Sequence, residues 1–203
     1  SECCTNGQCS SSMGTNAVNA QQLHTCTMLV ELVEGCNMSC PTCYADSPQT
    51  AVEHSKPLDF ELFKKNVLKR LDEQGRIDII QLSGGEPTLH PQFFEIVDWC
   101  AKEERIADVL LNTNGIRIND SEFLKQLVAV APIGRFSVYL QFDGMDEDGQ
   151  IELRAGDFRK VRERAIEALT TNDIPVCLTM VVTQKNLKSV WKTIARSIEN
   201  TLI

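Results

Sequence analysis

The sequence predicts an α/β protein built on a parallel sheet, and three observations support this fold class. Five apolar runs recur between residues 28 and 182, amphipathic stretches separate them, and the connections are short. The runs are almost continuously hydrophobic, which is typical of strands covered on both faces. Strands and helices that alternate in this way form parallel sheets with right-handed crossovers. A full eight-unit barrel takes about 250 residues, so five units predict either an open doubly wound sheet or a barrel that is partial or truncated.

The strands and helices follow one another in a regular order along the chain. The predicted strands are Met28–Val33, Ile77–Leu82, Val109–Asn112, Phe136–Phe142 and Val176–Val182. Helices are predicted where apolar side chains recur every three or four residues behind a start signal. The start signals are, in order, Asp59, Pro91, the pair Asn119 and Glu122, Asp157 and Asn186. Asn119 followed by Glu122 resembles a capping box, and proline is tolerated in a first helical turn.

One charged stretch precedes the fourth predicted helix, and another lies within it. The acidic residues Asp146–Asp148 follow the fourth strand and lack a calcium-loop pattern, so we expect them to form a solvated loop. Arg159, Lys160, Arg162 and Arg164 are interspersed with glutamates. Such a mixture predicts the solvated outer face of a helix.

The composition favours one folded domain behind a polar arm. The chain has 203 residues, of which 42% are hydrophobic and 24% charged, as expected for one globular core. Residues 1–27 contain Cys3, Cys4, Cys9 and Cys26 but almost no large apolar groups, and such a segment does not fold alone. We expect residues 28–203 to form the core domain. The arm is expected either to hold an auxiliary iron–sulfur cluster or zinc ion through these cysteines, or to carry free thiols.

Charge and cysteine usage exclude several function classes. The net charge of −8 argues against a broad nucleic-acid-binding surface, because binding phosphates takes a basic stripe. No apolar run approaches the about 20 residues that cross a bilayer as a helix. Nine cysteines are an odd number, and the chain is not small. These two facts favour metal or redox chemistry in a reducing cytoplasm over a disulfide framework.

Polar residues collect where the predicted strands end. In parallel architectures, ligands bind outside the carboxyl ends of the strands. The groups found there are a cysteine loop after the first strand, Ser83–Thr88 after the second, Asn112–Gly115 after the third, Gln141 and Asp143 at the fourth, and Thr179 on the fifth. We therefore expect a cofactor site at this end of the sheet.

The cysteine loop contains Cys36, Cys40 and Cys43 at the spacing C-x3-C-x2-C. Thiolates suit zinc or an iron–sulfur cluster. A structural zinc site takes four ligands, and no second paired set of ligands stands at matching spacing. A cubane cluster held by three thiolates keeps one iron open, and catalysis by a metal requires an open position. The spacing alone leaves both alternatives open.

A second motif, Gly84-Gly85-Glu86-Pro87, stands at the end of the next strand. Two glycines would let the backbone approach a ligand closely, and Glu86 would offer a carboxylate to a bound ammonium group. Taken alone, the glycine pair is equally typical of an ordinary tight turn.

Together, the two motifs resemble the signature of the radical S-adenosylmethionine (radical SAM) enzymes. The resemblance covers about residues 28–203 and implies a partial (β/α)6-type barrel, here ending after about five units. It implies that Cys36, Cys40 and Cys43 bind a [4Fe–4S] cluster whose open iron is chelated by S-adenosylmethionine. One electron from a donor such as ferredoxin or flavodoxin would then cleave S-adenosylmethionine, and the resulting radical would abstract hydrogen from a substrate that the sequence does not identify.

The resemblance also implies a cofactor-binding set. Its members are Thr42, Gly84, Gly85, Glu86, Thr113, Asn114, Gln141, Asp143 and Thr179. The Gly84–Glu86 segment would bind the methionine amino group, Gln141 and Asp143 would face the ribose or carboxylate, and Thr179 would lie by the adenosine. The family usually has an aromatic residue where this chain has Thr42, and Tyr44 is a candidate to replace it.

Within the family, the stretches Val138–Gly144 and Cys40–Pro48 look like a subgroup that includes tetraether-lipid synthases and methylated-pterin enzymes. Two rival interpretations remain at this point. One is a non-catalytic iron–sulfur, zinc-binding or electron-transfer module, for which the second motif would be superfluous. The other is an inactive fragment of a larger radical SAM enzyme.

Overall fold

A computed structural model describes residues 25–50 and 54–201 of the chain. Its five parallel strands are β1 (Thr25–Val33), β2 (Ile77–Gly84), β3 (Ile106–Thr113), β4 (Phe136–Gln141) and β5 (Val176–Thr179). Its helices are α1 (Phe60–Gln74), α2 (Phe93–Lys102), α3 (Ser121–Val130), α4 (Glu147–Arg154), α5 (Arg159–Thr171) and α6 (Val190–Thr201). The predicted α/β class with a parallel sheet is confirmed.

The strand order decides between the two parallel architectures. The sheet runs β1-β2-β3-β4-β5, so each strand pairs with the next one along the chain. A doubly wound sheet reverses its order at a switch point, where its ligands bind. This sheet does not reverse among the described strands, so the partial-barrel alternative is the correct one.

The register of the sheet brings the strand ends to one side. Leu82 pairs with Leu111, Leu111 pairs with Val138, and Thr113 pairs with Leu140. These leucines and Val138 are fully buried in the core. Each contributes about 1.5–3 kcal/mol relative to an exposed side chain. The apolar register therefore fixes where the polar residues that follow each strand are placed.

Of the predicted start residues, Asp59 is the N-cap of its helix, but Pro91 and Asp157 each lie one residue before the N-caps of α2 and α5, which are Gln92 and Phe158. Asn186 caps a short 3-10 turn that precedes α6. The side chain of Asp59 accepts a hydrogen bond from the Leu62 amide and caps α1 as predicted. The predicted cap of α3 at Asn119 is wrong. Asp120 is the N-cap, and its carboxylate accepts from the amides of Glu122 and Phe123. Asn119 instead ends a short 3-10 turn, and its side chain donates to the carbonyl of Gly115.

Three further expectations are corrected. The acidic residues Asp146–Asp148 do not form a loop but begin α4, where negative charge is favourable near the positive end of the helix dipole. β5 ends at Thr179 rather than Val182, because the Val181 amide turns to the Asp143 carboxylate. Arg162 is not on a solvated face: its side chain is fully buried, whereas Arg164 is exposed.

No helix in residues 25–50 and 54–201 is long and apolar enough to cross a membrane.

Candidate active site

The cysteine loop leaves β1 and folds back on itself. The Cys36 amide donates to the Pro48 carbonyl at 3.0 Å, and the Thr50 amide donates to the Cys36 carbonyl at 2.8 Å. Cys36 and Cys40 are half-buried and Cys43 is exposed. The loop thus presents three thiols while its ends are held by backbone hydrogen bonds.

The Gly84–Glu86 segment packs directly against the start of this loop. The Gly85 amide donates to the Val33 carbonyl at 2.8 Å, and the Glu86 amide donates to the Gly35 carbonyl at 3.0 Å. A Cβ atom on Gly85 would lie 2.1 Å from the Gly35 carbonyl oxygen. Gly84 has φ +119°, a conformation that side chains disfavour. The glycines thus allow the close approach of two chain segments, in addition to any approach to a ligand.

Glu86 lies buried at the centre of this end of the sheet. Its Oε1 accepts hydrogen bonds from the hydroxyls of Thr88 and Thr113, both at 2.7 Å, and its Oε2 accepts from the Asn114 amide at 2.8 Å. Burial raises the pKa of Glu86, and these hydrogen bonds offset the effect only in part. Glu86 is therefore a buried acid whose charged form a nearby cation would stabilise.

Asn114 joins β3 to the cysteine loop. Its Nδ2 donates to Asn37 Oδ1 at 2.7 Å and lies 3.8 Å from Cys36 Sγ. A second link runs through Ser83, whose hydroxyl is 2.8 Å from the Tyr44 hydroxyl. These contacts connect the ends of β2 and β3 to the thiol-bearing loop.

The three cysteines line one cavity with the Gly84–Glu86 segment. The other lining residues are Met38, Tyr44, Asn112, Thr113, Asn114 and Gln141. Its volume of about 70 Å³ is smaller than that of a typical ligand pocket. The cavity is open on the side of Cys43 and Tyr44, because both residues are exposed. A larger depression of about 680 Å³ lies over α5, beside Phe142 and Met145, and contains none of the cysteines.

A buried ion pair is hydrogen-bonded to the cysteine loop. Arg154 donates to both carboxylate oxygens of Asp143, at 2.6 and 2.9 Å, and to the Thr42 carbonyl at 3.0 Å. Burial lowers the pKa of Arg154, but hydrogen bonds and charge from Asp143 and the Cys40 thiol outweigh it and raise the pKa. Arg154 therefore holds the segment between Cys40 and Cys43 in place.

A second arginine, Arg162, packs behind Met38 and Gln141. Its Nε donates to the Gln141 carbonyl at 2.7 Å, and its Nη2 lies 3.3 Å from Gln141 Oε1 and 3.8 Å from Met38 Sδ. Its Nη1 is buried and has no hydrogen-bond partner. Burial lowers the pKa of Arg162 to about 10, so the side chain is still charged at neutral pH.

Comparison with known proteins identifies the family. The model of the radical SAM superfamily matches residues 30–196. The chain belongs to this superfamily. The predicted resemblance to radical SAM enzymes is therefore confirmed. The members of this superfamily are enzymes that use S-adenosylmethionine and an iron–sulfur cluster.

Two curated relatives and one solved structure illustrate the similarity to other radical SAM proteins. The 7,8-dihydro-6-hydroxymethylpterin dimethyltransferase of Methanocaldococcus jannaschii is 28% identical over 68% of this chain and 26% of its own length. The sporulation killing factor maturation protein SkfB of Bacillus subtilis is 31% identical over 81% of this chain and 37% of its own. The structure of Streptococcus suis SuiB bound to S-adenosylmethionine matches 88% of this chain and 37% of its own, with a TM-score of 0.68 at 12% identity. The chain thus spans 26% to 37% of the length of these relatives.

The donor set fits an iron–sulfur cluster, because thiolates are the ligands that hold such clusters. Among the described residues, no three His, Cys, Asp or Glu side chains are grouped so that they could share one metal ion. Burial raises the pKa of the Cys36 thiol to about 11, and coordination to a metal overcomes such a shift because it deprotonates the thiol outright.

The predicted site residues fall into two groups. Gly84, Gly85, Glu86, Thr113, Asn114 and Gln141 line the cavity with the cysteines. The other three, Thr42, Asp143 and Thr179, do not line the cavity. Thr42 is exposed, and its carbonyl accepts a hydrogen bond from Arg154, which also pairs with Asp143. The Thr179 hydroxyl donates to the Leu140 carbonyl. Their contacts with a cofactor stay predictions. Tyr44, not Thr42, is the residue beside the cavity.

The amino-terminal cysteines lie mostly outside the described residues, since only Cys26 falls within them. Cys26 is in β1 with an exposed side chain. Cys3, Cys4 and Cys9 lie outside, so the auxiliary metal site stays a prediction.

Sequence reasoning missed the two buried arginines. Arg162 stands four residues after Phe158 and four before Ile166, on the apolar side of α5. This register was the available signal. The second arginine, Arg154, had no comparable signal, because its partner Asp143 was assigned to the cofactor.

Proposed function

We propose that this chain binds a [4Fe–4S] cluster through Cys36, Cys40 and Cys43 and cleaves S-adenosylmethionine reductively. The observation that carries the proposal is that the three thiols and the Gly84–Glu86 segment line one cavity at the ends of β1 and β2. When bound, the cluster would supply one electron to S-adenosylmethionine, and the resulting carbon radical would take a hydrogen atom from the substrate. The cofactors carry this chemistry, and the protein orients them.

Residues in and beside the cavity would have separate roles in holding the cofactors. The Gly84–Glu86 segment would receive the amino group of S-adenosylmethionine, and the ammonium charge would stabilise the buried carboxylate of Glu86. Gln141 and Asn114 line the same cavity and would orient the rest of the cofactor. Arg154, anchored by Asp143, would keep Thr42 and the adjoining cysteines in position. The buried walls would limit access of water to the reacting groups.

Proteins similar to this chain include a pterin dimethyltransferase, a GTP 3',8-cyclase and a maturation protein, so membership of the superfamily is compatible with more than one substrate class. We propose a one-electron donor such as ferredoxin or flavodoxin as a partner. A reducing cytoplasm is the proposed location, because an oxygen-labile cluster requires one.

The test is anaerobic reconstitution with iron and sulfide, followed by addition of a reductant and S-adenosylmethionine. We expect 5′-deoxyadenosine and methionine to form in wild type and not in the variant in which Cys36, Cys40 and Cys43 are all alanine. A matched control is Cys100→Ala, since Cys100 is buried in the core away from the cavity. A wild-type protein that binds one zinc ion and never cleaves S-adenosylmethionine contradicts the proposal.

A further inference from the structure

Arg162 is the largest side chain that is fully buried in the described part of the protein. Its contacts are with neutral groups: the Gln141 carbonyl, Gln141 Oε1, Met38 Sδ, and the Phe158 ring, whose centroid is 5.0 Å from Cζ. Its Nη1 has no partner. A buried charge without a counter-charge is strongly unfavourable. Packing alone therefore does not account for an arginine at this position.

The nearby carboxylates act on Arg162 only from a distance, since none of them is hydrogen-bonded to it. The charge of Asp143 favours the charged form of Arg162, but Asp143 directs both oxygens to Arg154, and Glu86 directs both to Thr88, Thr113 and Asn114. Burial also favours the neutral form of Glu86. Within the described residues, Arg162 therefore has no carboxylate oxygen as a hydrogen-bond partner.

The cysteine loop is the one neighbour of Arg162 that would become negative on loading with a cluster. Met38, which touches the guanidinium, lies between Cys36 and Cys40 and lines the same cavity. The charges of Asp143, Glu86 and Cys40 favour the charged form of Arg162, with Asp143 contributing most. Charges interact more strongly in a buried environment than in water, so a thiolate-bound cluster would be sensitive to this arginine.

We propose that Arg162 is the buried counter-charge of the iron–sulfur cluster and makes the cluster easier to reduce. The inference rests on the proposed function and adds a positioning residue to it. Reduction adds one electron, taken from the one-electron donor, and no bond forms or breaks. A fixed positive charge stabilises the more negative, reduced state. The net charge and burial around a cluster are among the factors that set its potential.

The test compares midpoint potentials, measured without S-adenosylmethionine by redox titration with EPR detection. The reconstituted proteins are wild type, Arg162→Met, Arg162→Lys and Arg164→Met. Arg164 is the matched control because it lies on the same helix with its side chain exposed. We expect Arg162→Met to hold the same iron but to show a reduced-to-oxidised ratio about tenfold lower at the same ambient potential, equivalent to about 59 mV for one electron. Arg162→Lys and Arg164→Met should stay close to wild type.

Apo-protein stability gives a second, independent measurement. Replacing a buried unpaired charge by an apolar side chain of similar length is neutral or stabilising. We therefore expect apo Arg162→Met to melt at the wild-type temperature or above it. If Arg162→Met does not fold, Arg162→Gln replaces it in the titration, because glutamine keeps a donor for the Gln141 carbonyl and lacks the charge.

Three outcomes would overturn the inference. Equal potentials in iron-loaded wild type and Arg162→Met, or Arg162→Gln in its place, contradict it and leave the proposed function intact. Unchanged potentials with weaker binding of S-adenosylmethionine would assign Arg162 to the cofactor instead. A wild type that takes up no cluster contradicts the proposed function, and this inference with it.

Discussion

The arginines at the two ends of the sheet differ in burial and in pairing. At the amino end, Arg76, Arg105 and Arg135 each directly precede a strand and stay in contact with solvent. Arg105 pairs with Glu103 and Asp72, and Arg135 donates to backbone carbonyls such as that of Ile106. These arginines thus lie at the starts of strands and form ion pairs or hydrogen bonds there.

At the carboxyl end, Arg154 and Arg162 are buried. Arg154 is fully paired with Asp143, whereas Arg162 has no carboxylate partner among the described residues and leaves one nitrogen without a hydrogen bond. Exposed pairs contribute about 0–1 kcal/mol and tolerate change, but a buried charge that loses its partner costs several kcal/mol. The amino end thus keeps its arginines in contact with solvent, whereas the carboxyl end keeps Arg162 buried without a carboxylate partner, at a cost in stability.

The largest effect is expected when Gly85, at the carboxyl end of the sheet, is replaced by alanine. Gly85→Ala would place Cβ 2.1 Å from the Gly35 carbonyl oxygen, and backbone cannot move aside as a side chain can. We expect a loss of about 4 kcal/mol in the free energy of unfolding, measured by urea denaturation. The control at the amino end is Gly134→Ala, which meets no atom within 4 Å and is strained only by its φ of +72°. It should cost about 1 kcal/mol. Equal costs would contradict the close packing of the two motifs.

The next effect concerns the buried ion pair. Asp143→Asn removes the charge opposite Arg154, and we expect a loss of about 3 kcal/mol in the free energy of unfolding. Asparagine tolerates the positive φ of +60° at this position, so the change tests the charge. The counterpart at the amino end is Asp72→Asn, which weakens the exposed pair with Arg105 and should cost below about 1 kcal/mol. Similar losses in both variants would remove the contrast between the two ends.

A smaller effect depends on pH. The pKa of Glu86 is raised in the folded apo protein, so the folded state holds this proton more tightly than the unfolded state does. Stability from Glu86 is therefore fully present below the unfolded pKa of about 4.5. It is lost as pH rises through the folded pKa, by about 1.4 kcal/mol for each pH unit that separates the folded and unfolded pKa. We expect Glu86→Gln to lose less stability than wild type over this interval. Parallel pH profiles of urea unfolding would show that Glu86 titrates normally.

The smallest effect is expected at the open side of the cavity. Tyr44→Phe removes the hydroxyl that meets Ser83, but the side chain is 73% exposed. We expect a change below about 1 kcal/mol in thermal unfolding, because water replaces the lost partner. A loss as large as that of Asp143→Asn would mean that Tyr44 is a structural part of the buried network.

The sequence predicted the parts of the molecule that local patterns determine. The five strands follow from apolar runs, and the cysteine loop and the Gly84–Pro87 motif follow from spacing. The cap of α3 was displaced by one residue, because Asp120 and Asn119 are both good caps and only the preceding turn distinguishes them. The burial of Arg162 was missed because its partners, Met38 and Gln141, lie far away in the sequence. Long-range packing of this kind has no local signal beyond the helical register.

The measurement that tests the central claim most directly is the spectroscopic response of the reconstituted, iron-loaded protein to S-adenosylmethionine. The account predicts about four irons per chain, lost when Cys36, Cys40 and Cys43 are changed to alanine. It also predicts that S-adenosylmethionine shifts the EPR signal of the reduced cluster, because three thiolates leave one iron open to it. A cluster whose EPR signal is unchanged at saturating S-adenosylmethionine would contradict the claim that this end of the sheet binds the cluster and S-adenosylmethionine together.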